Sequence, residues 1–256
     1  MMINNSLFRY TSQIFIGILV LLSLSCTEDV VFQYETEVIN TVDFEQCHHE
    51  QCPELHIEYI RMTLPTSLAP AVNLGIRDQL VSKLTMQGQE AEDIEHAAQV
   101  YLNNSQTAYP EDSVMSETHQ LQWVVSASYQ SNEVLSLRTE FYEFAGGAHG
   151  FEGLLYKNFN VVTGREMVPS EVFTNLEAFT AFAKAQFHTQ QQELSATSTY
   201  WEILEFENEV FKLPENIGFT EEGIQLYYQA YEITVYQNEP FYFHISWEAV
   251  KEYINF

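Results

Sequence analysis

The chain has 256 residues, with 36 Asp and Glu against 10 Lys and Arg, and a formal net charge of −26. Nucleic-acid-binding proteins neutralise phosphates with Lys and Arg, so this composition excludes a basic nucleic-acid groove. An anionic membrane surface would also repel the chain. Because 46% of the residues are hydrophobic and 14% aromatic, we expect a folded core rather than disorder. The length allows one or two domains.

The N-terminus carries an uninterrupted apolar segment at residues 14–24, and Arg9 is the one charged residue before it. Because a transmembrane helix needs about 20 apolar residues, the segment predicts a signal peptide over 1–25. Small residues before Cys26 resemble the lipobox of bacterial lipoproteins, although a plain signal peptide cut nearby stays an alternative. The resemblance implies a lipidated Cys26 and an outer-membrane anchor, facing either the periplasm or the outside, with the lipid as the only membrane contact.

The other two cysteines, Cys47 and Cys52, enclose His48 and His49. Two thiols and two imidazoles could bind zinc, whereas an oxidising compartment favours a disulfide. Adjacent histidines cannot easily both face one ion, and no second ligand cluster with zinc-finger spacing follows. We therefore expect a Cys47–Cys52 disulfide, no metal and no cofactor; with Cys26 lipidated, no cysteine is left over.

Periodicity predicts the elements in chain order. Residues 26–45 are polar and acidic and predict a tether. Alternation predicts a strand over Leu55–Leu64 that Pro65 ends. Two helical faces follow, and from residue 121 the chain turns to strands. The later predictions are strands at 121–129, 134–144, 153–162, 219–228, 231–236 and 241–245, a helix through 176–187, and a last helix at 247–254 capped by Ser246.

This order of elements predicts an α+β fold, with helices packed on a mainly antiparallel sheet. A boundary near residues 105–119 predicts two parts. The first is an N-terminal module of a strand and helices at 46–118, and the second is a C-terminal α+β domain at 119–256.

Three segments, Phe141–Gly150, Phe219–Ile233 and Phe243–Val250, resemble in that order the extracellular domain of RsiV-type anti-sigma factors. That domain also occurs in bacterial lipoproteins of unknown function. Residues 55–102 resemble the small module that precedes it, which is also found ahead of the catalytic domain of some peptidoglycan deacetylases. The chain departs from the family at Ala230, where Pro is usual, and at 238–240, where a Gly is usual in the turn.

Two sets of residues are candidates for a binding site. In the first, Gly146 and Gly147 either free the backbone to approach a ligand beside His149, or permit a tight bend while His149 makes a buried polar contact. In the second, Tyr231 and Tyr236 are either ordinary strand residues or outward-facing aromatics that stack on sugars or anchor a protein. No catalytic motif accompanies either set, so we expect a protein that is not an enzyme.

Two functions are therefore expected. In the first, the acidic domain binds a cationic protein; the resemblance implies a lysozyme, and lysozymes are typically basic, so long-range electrostatics would attract them. In the second, exposed aromatic residues bind peptidoglycan or another cell-wall glycan. Salt separates the two, because sugar stacking should survive an ionic strength that weakens charge attraction.

Overall fold

The structure is a computed structural model that describes residues 29–47, 52–85, 89–107, 119–206 and 209–256. The predicted signal peptide (1–25), Cys26, His48 and His49 lie outside the described residues. Among the helices in the described ranges, none is long and apolar enough to cross a membrane. Helices and mainly antiparallel strands make up the described part, which confirms the predicted α+β class.

The first of the two sheets found in the described residues has the strand order β1-β2-β3-β4-β5. Adjacent strands in this sheet are antiparallel, except for β2 and β3, which run parallel. Pro65 follows the end of β2, as predicted. The strands are β1 (Gln33–Asn40), β2 (Glu54–Leu64), β3 (Gln120–Gln130), β4 (Val134–Phe144) and β5 (Phe151–Asn160).

β1 corrects the prediction of a tether over residues 26–45. The strand pairs with β2 along its whole length, and Tyr34 and Ile39 pack against the core below. Its acidic residues do not prevent pairing, because Arg61 on β2 forms ion pairs with both Glu35 and Glu37. The high acid content of this segment thus hid a strand whose charges are partly compensated across the ladder.

Two helices cover one face of the first sheet: α1 (Ala69–Leu84) and α2 (Ile94–Thr107). The predicted helical spacing is confirmed, since Ile76 and Leu80 of α1 are buried in the same core as Trp123 and Ile57. The predicted disulfide between Cys47 and Cys52 is present, with 5.2 Å between the Cα atoms. Both cysteines belong to this core, so the bond fixes the entry into β2.

The second sheet contains β6 (Asn216–Thr220), β7 (Gly223–Tyr228) and β8 (Phe241–Ser246), all antiparallel. Three further helices accompany it in the described ranges: α3 (Pro169–Val172), α4 (Leu176–Ser195) and α5 (Trp247–Val250). α4 buries Phe179, Ala183 and Phe187 against one face of this sheet, in a core shared with Leu226, Phe241 and Phe243.

Several boundaries differ from the prediction. The strand expected at 219–228 is broken by a turn at Glu221–Glu222, where Gly223 has a φ of +147°. A Cβ on Gly223 would collide with the Ile245 carbonyl oxygen, so only glycine fits there. The last helix ends at Val250 rather than 254, but Ser246 caps it as predicted, accepting a hydrogen bond from the Ala249 amide.

The two sheets do not divide at residue 118. β2 pairs with β3 across the expected boundary, and the first core continues through Leu135 and Leu137. The second sheet lies against the other face of the first through β6, whose Phe219 amide donates to Ser136 Oγ at 3.1 Å. Asn158 Nδ2 also donates to the Ile217 carbonyl at 2.7 Å. These contacts leave a cleft beside β6, between the outward faces of the two sheets.

Candidate binding surfaces

The inter-sheet cleft has a volume of about 810 Å³. The alternation of side chains along the strands forms this cleft. On β8, Phe241, Phe243 and Ile245 point into the core, while Tyr242 and His244 point out. The outward residues of β3, β4 and β5 form the opposite wall. The polar and aromatic lining includes Gln122, Arg138, Glu140, Tyr142, Glu152, Tyr156, Gln225, Tyr227, Tyr242 and His244.

A hydrogen-bonded group joins the two walls of the cleft. The Tyr156 hydroxyl donates to Gln225 Oε1. Burial raises the pKa of Tyr156 to about 12, with the Glu140 carboxylate adding to the effect and Arg138 opposing it, so the phenol remains a donor at neutral pH. Arg138 Nη2 pairs with Glu140 Oε1 at 2.9 Å. The buried Nε of Arg138 has no hydrogen-bond partner among the described residues.

Two tyrosines lie side by side on the wall of the cleft that the second sheet forms. Tyr227 and Tyr242 are directly paired across β7 and β8, and their rings are nearly parallel, with centroids 5.8 Å apart and planes at 12°. Tyr227 is buried, whereas 51% of Tyr242 is exposed. Burial raises the pKa of Tyr227 and the Glu152 carboxylate raises it further, so the buried ring of this residue stays neutral at neutral pH.

The loop between β7 and β8, residues 229–240, contains Tyr231 and Tyr236. The prediction of a strand at 231–236 is wrong, because these residues form turns around a fully buried Gln237. Gln237 Oε1 accepts a hydrogen bond from the Ile233 amide at 3.1 Å, and its Nε2 donates to the Glu239 carbonyl at 2.8 Å. The Tyr231 amide donates to the Gln237 carbonyl at 2.7 Å.

Two further side chains fix the β7–β8 loop. The Glu232 carboxylate accepts from the Gln229 amide at 2.7 Å and from the Glu215 amide at 3.2 Å. Burial raises the pKa of Glu232, and the two amide donors act against that rise. The Tyr200 hydroxyl donates to Asn238 Oδ1 at 2.7 Å and accepts from the Asn238 amide at 2.8 Å. The loop is therefore held in one shape by side chains on both sides of it.

The β7–β8 loop exposes large side chains that it does not use for packing. The exposed fractions are 51% for Tyr231, 75% for Val235 and 75% for Tyr236, and we call these three residues the loop patch. The loop carries Glu232 and Glu239, while the adjoining 3-10 helix at Thr199–Ile203 carries Glu202, and neither segment contains Lys or Arg. The loop patch is thus an apolar surface with acidic neighbours.

The Gly-Gly-Ala-His segment forms the loop between β4 and β5. Gly146 and Gly147 have φ angles of +88° and +110°, so they do form a bend, as one of the two interpretations expected. The buried polar contact expected for His149 is absent, because its ring is exposed and its Nδ1 lies 3.2 Å from the Gly150 carbonyl oxygen. Within the described residues, no group of three His, Cys, Asp or Glu side chains could hold a metal ion.

A family model described as "Protein of unknown function (DUF3298)" matches residues 169–248. The match includes the segment Phe219–Ile233 and most of Phe243–Val250, but not the Gly-Gly-Ala-His segment. No curated protein matches the chain by sequence.

Two solved structures share the fold. A DUF3298 family protein from Pseudomonas aeruginosa PAO1 superposes with a TM-score of 0.63 at 16% identity, over 89% of this chain and 95% of that one. A DUF3298 family member from Bacteroides fragilis NCTC 9343 gives a TM-score of 0.60 at 16% identity, over 89% and 94%. The similarity therefore extends over nearly the whole arrangement of two sheets and their helices.

The sequence did not single out the residues of the inter-sheet cleft. Alternation in β4 and β8 was readable, and it places Arg138, Glu140, Tyr242 and His244 on outward faces. An outward face normally meets solvent, however, and only the docking of β6 on the first sheet brings two such faces together. Tyr231 and Tyr236 were singled out as binding candidates, but they were placed on a strand rather than on an exposed loop.

Proposed function

We propose that this protein is a lipid-anchored envelope protein of the bacterial outer membrane that captures a cationic protein. The resemblance to RsiV-type extracellular domains makes a lysozyme the first candidate partner. The loop patch of Tyr231, Val235 and Tyr236 is the contact surface, and capture of the enzyme would inhibit it if the loop entered its substrate cleft.

The observation that carries this proposal is the combination of rigidity and exposure in the β7–β8 loop. Buried Gln237 and the Tyr200 hydroxyl hold the loop backbone, so little conformational entropy is lost when a partner binds. Aromatic side chains on such a fixed support are typical of the few residues that dominate interface energies. Exposing Tyr236 and Val235 to water has no benefit for folding, which favours a role in binding.

Charge supports a cationic partner. The whole chain has a formal net charge of −26, and cleavage after residue 25 would remove Arg9 and give −27. Glu232 and Glu239 lie in the β7–β8 loop and Glu202 lies in the adjoining 3-10 helix, and neither segment contains Lys or Arg. A negative field of this kind increases the association rate of a basic protein and orients it before contact.

Calorimetric titration of the purified protein with a cationic lysozyme tests the proposal. Binding is expected at about 0.1 M salt and should weaken at least about tenfold towards 1 M, as the Debye length falls from about 10 to about 3 Å. Cytochrome c serves as a control of similar charge but different surface. No binding of lysozyme at the lower salt, or equal binding of both basic proteins, would contradict the proposal.

A further inference from the structure

The inter-sheet cleft is a separate surface from the loop patch, because none of Tyr231, Val235 and Tyr236 lines it. We propose that this cleft binds a carbohydrate, a chain of neutral pyranose rings, with Tyr242 as the stacking platform. The inference does not rest on the proposed capture of a cationic protein, so either can fail without the other.

The size of the cleft suits such a ligand. Small-molecule sites typically have volumes of about 300–1,000 Å³, and this cleft measures about 810 Å³. Apart from Glu221 and Glu222, its lining residues lie on strands of the two sheets. A linear ligand can therefore lie in the cleft without a large rearrangement of the backbone.

The platform is built from the paired rings of Tyr227 and Tyr242. Their planes differ by 12°, and directly opposed residues on neighbouring strands are held in register by the ladder. Because Tyr227 is buried, it fixes the orientation of Tyr242, which is 51% exposed. An exposed, fixed aromatic face beside polar groups matches the C–H face of a pyranose ring, which is apolar at its centre and hydroxylated at its edge.

The cleft also offers both kinds of hydrogen-bonding group that sugar hydroxyls require. Gln225 is only 6% exposed and lines the cleft. Its Oε1 accepts from the Tyr156 hydroxyl, and its amide nitrogen has no acceptor among the described residues. Glu140, held by Arg138 at 2.9 Å, supplies acceptor oxygens nearby. A hydroxyl group can donate to the carboxylate and accept from the amide.

The charge of the lining selects among sugars. Glu140 and Glu152 both line the cleft, together with Glu221 and Glu222 at the β6–β7 turn, whereas Arg138 is already paired with Glu140. Like charges in one site repel, so a uronic acid or a phosphorylated sugar would be disfavoured. The lining therefore disfavours anionic sugars, and the proposed ligand is a neutral one.

Calorimetry of the purified protein against tetrasaccharides of glucose, N-acetylglucosamine, mannose and galactose, with tetragalacturonate and spermidine as charged probes, tests the inference. At least one neutral tetrasaccharide should bind, with little change between about 0.1 M and 1 M salt, because uncharged ligands are not screened. Tyr242→Ala should weaken that binding about tenfold, near the upper end of what an aromatic contact contributes. Tyr242→Phe should retain it, and Tyr236→Ala, an exposed tyrosine outside the cleft, is the matched control.

The inference fails if no neutral tetrasaccharide of this set binds at millimolar concentration. It fails equally if tetragalacturonate or spermidine binds more tightly than every neutral sugar, because the site would then recognise charge. The inference is also overturned if Tyr242→Ala keeps both the affinity and the circular dichroism spectrum of the parent protein. Since Tyr242 is half exposed, its truncation should leave folding intact, and the spectrum checks this directly.

Discussion

The β4–β5 loop and the β7–β8 loop each connect two antiparallel strands, but they differ in what holds them. Gly146 and Gly147 bend the first loop through their positive φ angles, and the exposed His149 ring lies beside the Gly150 carbonyl oxygen. In the second loop, Gln237 and Glu232 supply several side-chain hydrogen bonds. The first loop carries the more conspicuous sequence, yet the second is the better-built surface.

The difference shows why a distinctive motif is a weak guide to a binding site. Glycines at positive φ are required wherever a tight bend of this kind occurs, so the Gly-Gly pair needs no ligand to explain it. Large apolar side chains that remain exposed on a fixed loop have no such structural explanation. Substitutions in both loops test whether the two loops differ in this way.

The largest effect is expected for Gln237→Leu in the β7–β8 loop. The leucine side chain leaves the buried Ile233 amide without its acceptor, which costs about 2 kcal/mol or more of unfolding free energy. Urea denaturation measures the loss. Lysozyme binding should fall with it, because the loop patch would no longer be held in place. A change below about 0.5 kcal/mol would show that Gln237 does not anchor the loop.

Gly147→Ala should have a smaller effect on the β4–β5 loop. The φ of +110° is unfavourable for any side chain, and a Cβ there would touch nothing within 4 Å. The cost is therefore backbone strain alone, about 1–2 kcal/mol. Thermal denaturation should show a lower Tm with lysozyme binding unchanged, and the neighbouring Ala148→Ser is the control. Loss of lysozyme binding in Gly147→Ala would instead indicate that the β4–β5 loop is part of the binding site.

Glu143 lies near the β4–β5 loop and Glu232 lies in the β7–β8 loop. Replacing each carboxylate with an amide should change the Tm at pH 7 in opposite directions. Burial raises the pKa of Glu143, which Lys83 and the Trp123 Nε1 donor partly oppose. A carboxyl with a raised folded pKa contributes stability below its unfolded pKa and loses it as the pH rises through the folded value. Glu143→Gln keeps an acceptor for Trp123, so its Tm should rise by about 2 °C at pH 7 and not at pH 4.

Burial also raises the pKa of Glu232, but Glu232→Gln should lower the Tm at pH 7, because the loss of a backbone hydrogen bond outweighs the gain from removing the charge. The carboxylate serves two backbone amides, from Gln229 and Glu215, while a glutamine offers only one acceptor oxygen. Scanning calorimetry of both variants at the two pH values gives the comparison. If both substitutions stabilise the protein at pH 7, burial of the charge outweighs its role in holding the β7–β8 loop.

The smallest effect is expected for His149→Ala. The ring is exposed and its Nδ1 lies beside the carbonyl oxygen of the adjacent Gly150, so unfolding free energy should change by less than about 0.5 kcal/mol. Equilibrium denaturation and lysozyme titration should both match the parent protein. A loss of binding without a loss of stability would make His149 part of a binding surface.

Much of the fold could be predicted from the sequence, because strand and helix periodicity are local. Val134–Phe144 was predicted with the bounds that β4 has, and Ser246 was recognised as a cap. β1 was missed, since its acidic residues concealed a strand that becomes stable only by pairing with β2. The turns at 231–236 were missed because alternating apolar residues predict a strand when no partner is visible. The inter-sheet cleft depends on how two sheets dock, which no local pattern records.

We propose that the exposed loop patch, and not the glycine loop, binds the partner. The most direct measurement is calorimetric titration of Tyr236→Ala and His149→Ala with the same cationic lysozyme. Tyr236 is 75% exposed, so Tyr236→Ala should keep the stability of the parent protein. It should bind lysozyme at least about tenfold more weakly, because an aromatic anchor is lost. His149→Ala should bind like the parent protein. The reverse pattern, with binding lost in His149→Ala and kept in Tyr236→Ala, would contradict it.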